Sequence, residues 1–323
     1  MGERWPTVAA LSAALAVGGL LAWLAAAGWS ARRAGGPLAE AADPSDRGGG
    51  HRRIVSLAPS LTETLFAIGA GDRLVAVTDL CDFPAAAREL PRVGGLTSSN
   101  LHLESVVAAR PDLVLSVGLN QEAAVAALRR LGIAVEVIPS DGEGLDATIA
   151  AVRRLGVLAG RRVEAARLAD RLAGRIAAVE EALAGLPPTD RPRVYFEVWD
   201  RPLMTAGPDT FLGELVARAG GENVFADVSG RWVQVSPEAV LARDPQWILA
   251  AARPGGPQGA DDFASRPGWR DVSAVADGRM HLLDGDLVSR PGPRLVAAFE
   301  EVAALLHPER FPAARGAAGK ESR

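Results

Sequence analysis

The sequence predicts an α/β protein built as two lobes bridged by a long helix, and three observations lead there. Short apolar runs rich in β-branched residues alternate with helical stretches, the pattern of a mostly parallel sheet. The same order returns in the second half with a local repeat. Glu104-Ser-Val-Val-Ala-Ala-Arg-Pro-Asp-Leu-Val-Leu115 aligns with Glu238-Ala-Val-Leu-Ala-Arg-Asp-Pro-Gln-Trp-Ile-Leu249 at a constant spacing of 134 residues. Between the halves, Leu145 to Leu186 carries no strand-like run at all. Each lobe is therefore expected to be Rossmann-like, with one long backbone helix between them.

Taken in order, residues 1–31 hold an uncharged stretch from Thr7 to Ala31, 25 residues long. That exceeds the ~20 residues a helix needs to cross a bilayer. It is read as a signal peptide or an N-terminal membrane anchor, and either places the remainder outside the cytoplasm. Residues 32–52 are breaker-rich and read as a flexible linker. The first lobe, 53–142, opens on a strand at RIVSLAPS (53–60). Ser60 to Glu63 then has the spacing of a capping box for a helix that stops near Gly69. Strands follow at 74–78, 112–117 and 133–138, with helices from Glu104 and over 121–132.

The connecting segment, 143–188, holds one helix ending at Gly160 and a second with an apolar stripe at Leu168, Leu172, Ile176, Val179 and Leu183. From Arg161 to Leu186 it would run ~39 Å before Pro187-Pro188 stops it. Such a helix packs on both lobes and limits their closure. The second lobe, 189–312, repeats the scheme. A strand spans 193–199, Asp209 caps a helix ending at Gly220-Gly221, and Ser236 with Pro237 starts another. Residues 313–323 read as a loose tail.

The function classes excluded are clear. A net charge of −4 without a dense Lys/Arg cluster is unsuited to a phosphate backbone, so no nucleic-acid partner is expected. A single cysteine, Cys81, excludes an internal disulfide framework and a thiolate zinc site. Phosphate-loop, dinucleotide, zincin and nucleophile-elbow motifs are missing, and no nucleophile–base pair is recognisable. No catalytic residue, resident metal or cofactor is expected.

Five segments together carry a family resemblance: RIVSLAPSLTETLFAIGAGDRLVAVTDLCDFP (53–84), LESVVAARPDLVL (103–115), AGGENVFAD (219–227), WVQVSPEAVLARDP (232–245) and RPGPRLVAAFEEVAALL (290–306). Over residues 52–312 the chain resembles the class III periplasmic substrate-binding proteins of ABC importers, and is most similar to the cobalamin-binding type. The resemblance implies an extracytoplasmic receptor that holds a corrinoid between its lobes and passes it to the importer's membrane subunits. In that family one glutamate per lobe docks on the transporter; by motif position these are Glu104 and Glu238. The competing reading is plain dipole complementation at a helix start.

A ligand of such a fold sits where loops leave the carboxyl ends of the strands. The candidates there are Ser60, Cys81, Asp82, Phe83, Trp199, Met204, Arg231, Trp232, Arg290 and Arg294. Several have a second reading. The aromatics serve equally as core or rim packing, and Cys81 as a small buried hydrophobe. Arg290 and Arg294 either bind an anionic group of the ligand or bridge across the loop. Met204 stands where relatives can carry an aromatic, and the second-lobe disulfide of the best-known cobalamin receptors has no counterpart here. The alternatives are a ferric-siderophore or haem receptor, and a membrane-tethered sensor or enzyme on the same scaffold.

Overall fold

The computed structural model describes residues 50–118, 120–139 and 144–312. The apolar segment Thr7–Ala31, most of the linker and the tail from Ala313 lie outside the described residues. The last linker residues, His51 and Arg52, are not loose. The His51 amide donates to the Leu158 carbonyl at 2.8 Å, and the Arg52 amide to the Asp112 carboxylate at 2.8 Å.

In the first lobe, β1 (Ile54–Ser56), β2 (Leu74–Val77), β3 (Leu113–Ser116) and β4 (Val135–Val137) form a parallel sheet in the order β2-β1-β3-β4. Every residue of β1 and β3 is buried, which is why they read as unbroken apolar runs rather than alternating ones. Helices α1 (Pro59–Ala67), α2 (Leu103–Ala108) and α3 (Glu122–Arg130) lie in the connections.

The bridge is two helices, α4 (Gly144–Leu158) and α5 (Arg162–Ala182), with the break at Gly160 that the sequence marks; α5 is the long backbone helix. They pack as a tight hairpin. A Cβ at Gly156 would stand 2.1 Å from that of Ala165, so only glycine permits this approach. The predicted stripe of α5 is buried along its length. The helix is shorter than expected, ~32 Å, because the chain turns at Leu183–Leu186 with Gly185 left-handed at φ 72°. α4 packs on α1 of the first lobe.

The second lobe contains β5 (Arg193–Asp200), β6 (Leu203–Ala206), β7 (Glu222–Asn223), β8 (Trp232–Gln234), β9 (Trp247–Ala252) and β10 (Met280–Asp284). Their order is β10-β9-β5-β6-β8, with β7 beside β5. The β10, β9 and β5 strands run parallel; β6 and β8 are antiparallel additions. Helices α6 (Phe211–Arg218), α7 (Pro237–Arg243), α8 (Ala260–Ala264), α9 (Ser273–Ala276), α10 (Gly285–Ser289) and α11 (Leu295–Leu306) complete it. The bridge grips this lobe too. Leu145 donates its amide to Glu214 on α6, and Arg175 of α5 forms a two-pronged pair with Glu300 of α11 at 2.7 and 2.6 Å.

Two predicted helix starts shift. At α1 the N-cap is Ala58 with Pro59 next, and Ser60 makes no capping bond. Proline begins the helix early, so Ser60 is already inside it and Glu63 is released from a capping role. At α6 the cap is Thr210 rather than Asp209; its hydroxyl accepts from the Gly213 amide at 3.0 Å. Ser236 does cap α7, accepting from Ala239 at 3.2 Å. The repeat is conformational as well as sequential. Both copies run helix, proline turn, strand, and Arg110 and Asp244, 134 apart, are both left-handed (φ 45° and 38°).

Candidate ligand-binding cleft

Loops from the carboxyl ends of the two sheets meet, and the contact is ionic. From the first lobe come Glu63, one turn into α1, and Asp82 and Phe83 after β2. From the second come Arg290 and Arg294, which follow α10. Arg294 donates Nε and Nη2 to the two carboxylate oxygens of Glu63, each at 2.7 Å. Arg290 donates Nη1 to Asp82 at 2.6 Å and to Glu63 at 3.3 Å, while its Nη2 pairs with Asp286 at 2.8 Å. The Arg294 guanidinium lies 4.1 Å above the Phe83 ring. A planar fork against a carboxylate is the strongest geometry such a pair adopts, and it fixes both partners.

Charge and burial act together here. Glu63 is only 4% exposed, yet both its oxygens are occupied. The hydrogen bond from Arg290 holds the Asp82 carboxyl below the usual aspartate range, outweighing partial burial. Burial pushes Asp286 up, opposed by Arg290. A carboxyl with a depressed folded pKa contributes stability above its unfolded value and loses it as pH falls through the folded one. Asp82→Asn should therefore flatten the stability-versus-pH curve on the acid side of the ordinary aspartate range and leave its shape at neutral pH unaltered. Urea titrations at stepped pH check this; an unchanged acid limb would mean that Arg290 does not hold Asp82 in solution.

The structure brings together Asp82, Phe83, Arg290 and Arg294 of the predicted residues. Ser60 is adjacent, buried in the first turn of α1, with its backbone against Gly292 of the facing loop. Both arginines bridge to carboxylates of the facing lobe. Cys81 and Met204 present no surface to a ligand, each being 1% exposed. The Cys81 sulfur sits 3.2 Å from the Thr62 hydroxyl and 3.1 Å from that of Thr78, and burial raises its thiol pKa. Met204 lies within β6, a strand buried on both faces, rather than in a loop.

Trp199 and Trp232 stand in separate contact sets. Trp199, at the carboxyl end of β5, lies under the Arg253 guanidinium at 3.6 Å, and Asp200 pairs with that arginine. Trp232 opens β8 and meets Phe211 edge-on at 5.9 Å; Arg231 precedes it, half-buried. Glu104 and Glu238 are both exposed, in the first turns of α2 and α7. Sequence reasoning missed Glu63 as a site residue, because its spacing from Ser60 imitates a capping box. A hollow of about 750 Å³ lies between α4, α5 and α6, away from the sheet ends. Its Asp146, Glu180 and Glu214 already pair with Arg218.

Two sheets with facing carboxyl ends, joined by a stiff helical hairpin and a cross-lobe ion cluster, define a two-lobed solute-binding protein of the class III type. Residues 54–287 match the family described as "Periplasmic binding protein", and the chain belongs to that family. Its members are extracytoplasmic and non-catalytic, and work with ABC transporter membrane components. A Bacillus subtilis protein described as an uncharacterized ABC transporter substrate-binding lipoprotein is 31% identical, covering 80% of this chain and 81% of its own. A cobalamin-binding protein of Halobacterium salinarum is 30% identical over 79% of this chain and 69% of its own. The solved structure of a periplasmic haem-binding protein from Roseiflexus superimposes with a TM-score of 0.70 at 27% identity, covering 81% of this chain and all of that one.

Proposed function

We propose that this chain captures cobalamin or a related corrinoid between its lobes and delivers it to an ABC importer through Glu104 and Glu238. The observation that carries the choice of ligand is the ion cluster. Arg290 and Arg294, which would serve an anionic cargo, are occupied by Glu63, Asp82 and Asp286. Arg253 is likewise held by Asp200. A cleft in which Arg253, Arg290 and Arg294 are compensated favours a large, nearly neutral ligand held by apolar and aromatic contacts over a polyanion. The cobalamin-binding relative supports the same reading. The N-terminal segment Thr7–Ala31 would serve as export signal or inner-membrane anchor.

A haem cargo is the second reading, favoured by the Roseiflexus structure. Haem iron takes an axial His, Tyr, Cys or Met. Tyr195, Cys81 and Met204 are all buried, and His281 and His307 face Glu301 and the Gly220 carbonyl. Calorimetric titration with cyanocobalamin, haem and a ferric siderophore separates the readings. One-to-one binding of cyanocobalamin alone is the expected result; binding of an iron chelate alone would move the cargo to the second reading. Trp232→Ala should then weaken the ligand on the order of 10-fold, the scale of losing one aromatic anchor. An unchanged Kd would remove Trp232 from the cleft.

A further inference from the structure

Both helices that carry the docking carboxylates are too short to hold themselves. α2 has six residues and α7 seven, well under the ~12–15 at which an isolated helix becomes even marginal in water. Each is followed within two residues by a non-glycine residue in the left-handed region, Arg110 or Asp244, directly before a proline. That conformation persists only where its surroundings enforce it.

One enforcing group recurs in both lobes, joined at α7 by the Asp244 carboxylate, which accepts from the Ser273 amide and hydroxyl at 2.7 and 2.8 Å. Arg53, at the start of β1, donates Nε to the Arg110 carbonyl at 2.9 Å and Nη2 to the Ala109 carbonyl at 2.5 Å. Arg193, at the start of β5, donates Nη1 to the Asp244 carbonyl at 3.2 Å and Nη2 to the Arg243 carbonyl. Their backbones are tied as well. The Arg53 amide donates to Asp112 at 3.1 Å and the Arg193 amide to Gln246 at 2.9 Å, while the amides of Asp112 and Gln246 return bonds to the Arg53 and Arg193 carbonyls at 2.9 and 2.8 Å. A guanidinium fork thus satisfies carbonyls that a helix end leaves orphaned, and places positive charge where the dipole favours it. The docking helices repeat at 134 residues but the two arginines at 140. The clamp therefore recurs outside the sequence repeat, at the start of an interior strand of each sheet.

We propose that Arg53 and Arg193 are positioning residues for docking: they lock α2 and α7 to the sheets, so that Glu104 and Glu238 are presented to the importer at a fixed separation and angle. This rests on the docking role assigned to the two glutamates. Without the clamps each helix swivels about its proline turn, and two carboxylates no longer meet two sites at once.

The test uses the full chain in cells that lack their own copy, with a photo-crosslinking residue at Val107, which is 42% exposed one turn after Glu104. Crosslinking to the importer's membrane subunit reads docking whatever the cargo is. Arg53→Gln with Arg193→Gln should lower the yield at least fivefold, and Arg→Lys at both sites should restore part of it, since an ammonium reaches one carbonyl but not a fork. Added to Glu104→Ala/Glu238→Ala, the arginine changes should cause no further loss. Hydrogen exchange of the free receptor gives an independent readout. Amides of α2 and α7 should exchange at least tenfold faster in the arginine variants, with β3 and β9 unaffected. Wild-type exchange in both helices, or wild-type crosslinking despite faster exchange, overturns the positioning role. Full crosslinking in Glu104→Ala/Glu238→Ala overturns the docking reading itself, and the role of the arginines with it.

Discussion

A receptor carrying Glu104→Ala together with Glu238→Ala is expected to bind its cargo with an unchanged Kd while uptake falls to background. The two carboxylates lie on equivalent exposed turns of the two lobes, so a transporter with two-fold symmetry can meet both with like sites. Charge-assisted pairing with arginine supplies the geometry. Truncating one partner of such a pair, once desolvated in a complex, costs about 2–5 kcal/mol. At 1.4 kcal/mol per decade, even the lower end makes each single change a loss of roughly 30-fold in docking affinity. The free receptor gives up far less, since a carboxylate near a helix start contributes about 0.3–1 kcal/mol. Glu238 is ready for the role: its own backbone N–H and the Ser236 hydroxyl hold its carboxyl below the usual glutamate range, so it is ionised at any physiological pH. Uptake of radiolabelled cyanocobalamin beside calorimetry of the same variants measures both halves. A Kd that rises in step with the loss of uptake would mean that these residues hold the lobes instead.

The matching positions of Glu104 and Glu238 on two helix starts are legible in the sequence through local signals, a repeat at constant spacing and, for Glu238, a Ser-Pro-Glu helix start, whereas their docking role is what the family resemblance implies. The strands, the bridge and its buried stripe are legible for the same reason, periodicity being a property of neighbouring residues. Glu63 is not. Its partners Arg290 and Arg294 lie 227 and 231 residues away, and no local pattern encodes a pairing across lobes. The local pattern even misleads, since Ser60-x-x-Glu63 has the capping spacing while Pro59 has already started the helix. Met204 fails differently. The segment following Asp200 reads as a loop, but the chain folds straight back as β6, a strand buried on both faces, and Met204 is covered with the rest of it. The two-helix bridge is half legible: Gly160 marks the break, yet only the close contact of Gly156 with Ala165 folds α4 back onto α5.

Glu63→Ala should be among the most damaging single substitutions in the chain, costing about 3–5 kcal/mol of unfolding free energy. Exposed pairs such as Arg153–Asp170 contribute little, because water already solvates both partners. Glu63 is different: its side chain is nearly inaccessible, and it is the one acceptor shared by Arg290 and Arg294, themselves only 12% and 24% exposed. Removing it leaves the Arg294 guanidinium without its carboxylate and next to Arg290, which keeps Asp82 and Asp286, and an uncompensated, partly buried charge is what makes breaking a buried pair so costly. Against a total stability of roughly 5–15 kcal/mol this is a large fraction. Urea unfolding of Glu63→Ala, of Arg294→Ala and of the double variant isolates the coupling, because the double variant should lose less than the two singles together. The substitution also exposes the logic of the cargo. Counting Glu63, Asp82 and Asp286 against Arg290 and Arg294, the loss of Glu63 takes the lobe contact from one net negative charge to neutral and frees Arg294, so a folded Glu63→Ala receptor should gain affinity for anionic haem relative to cobalamin. A variant as stable as the parent, with its ligand preference unaltered, would show that the ion cluster neither ties the lobes nor sets the charge of what they hold.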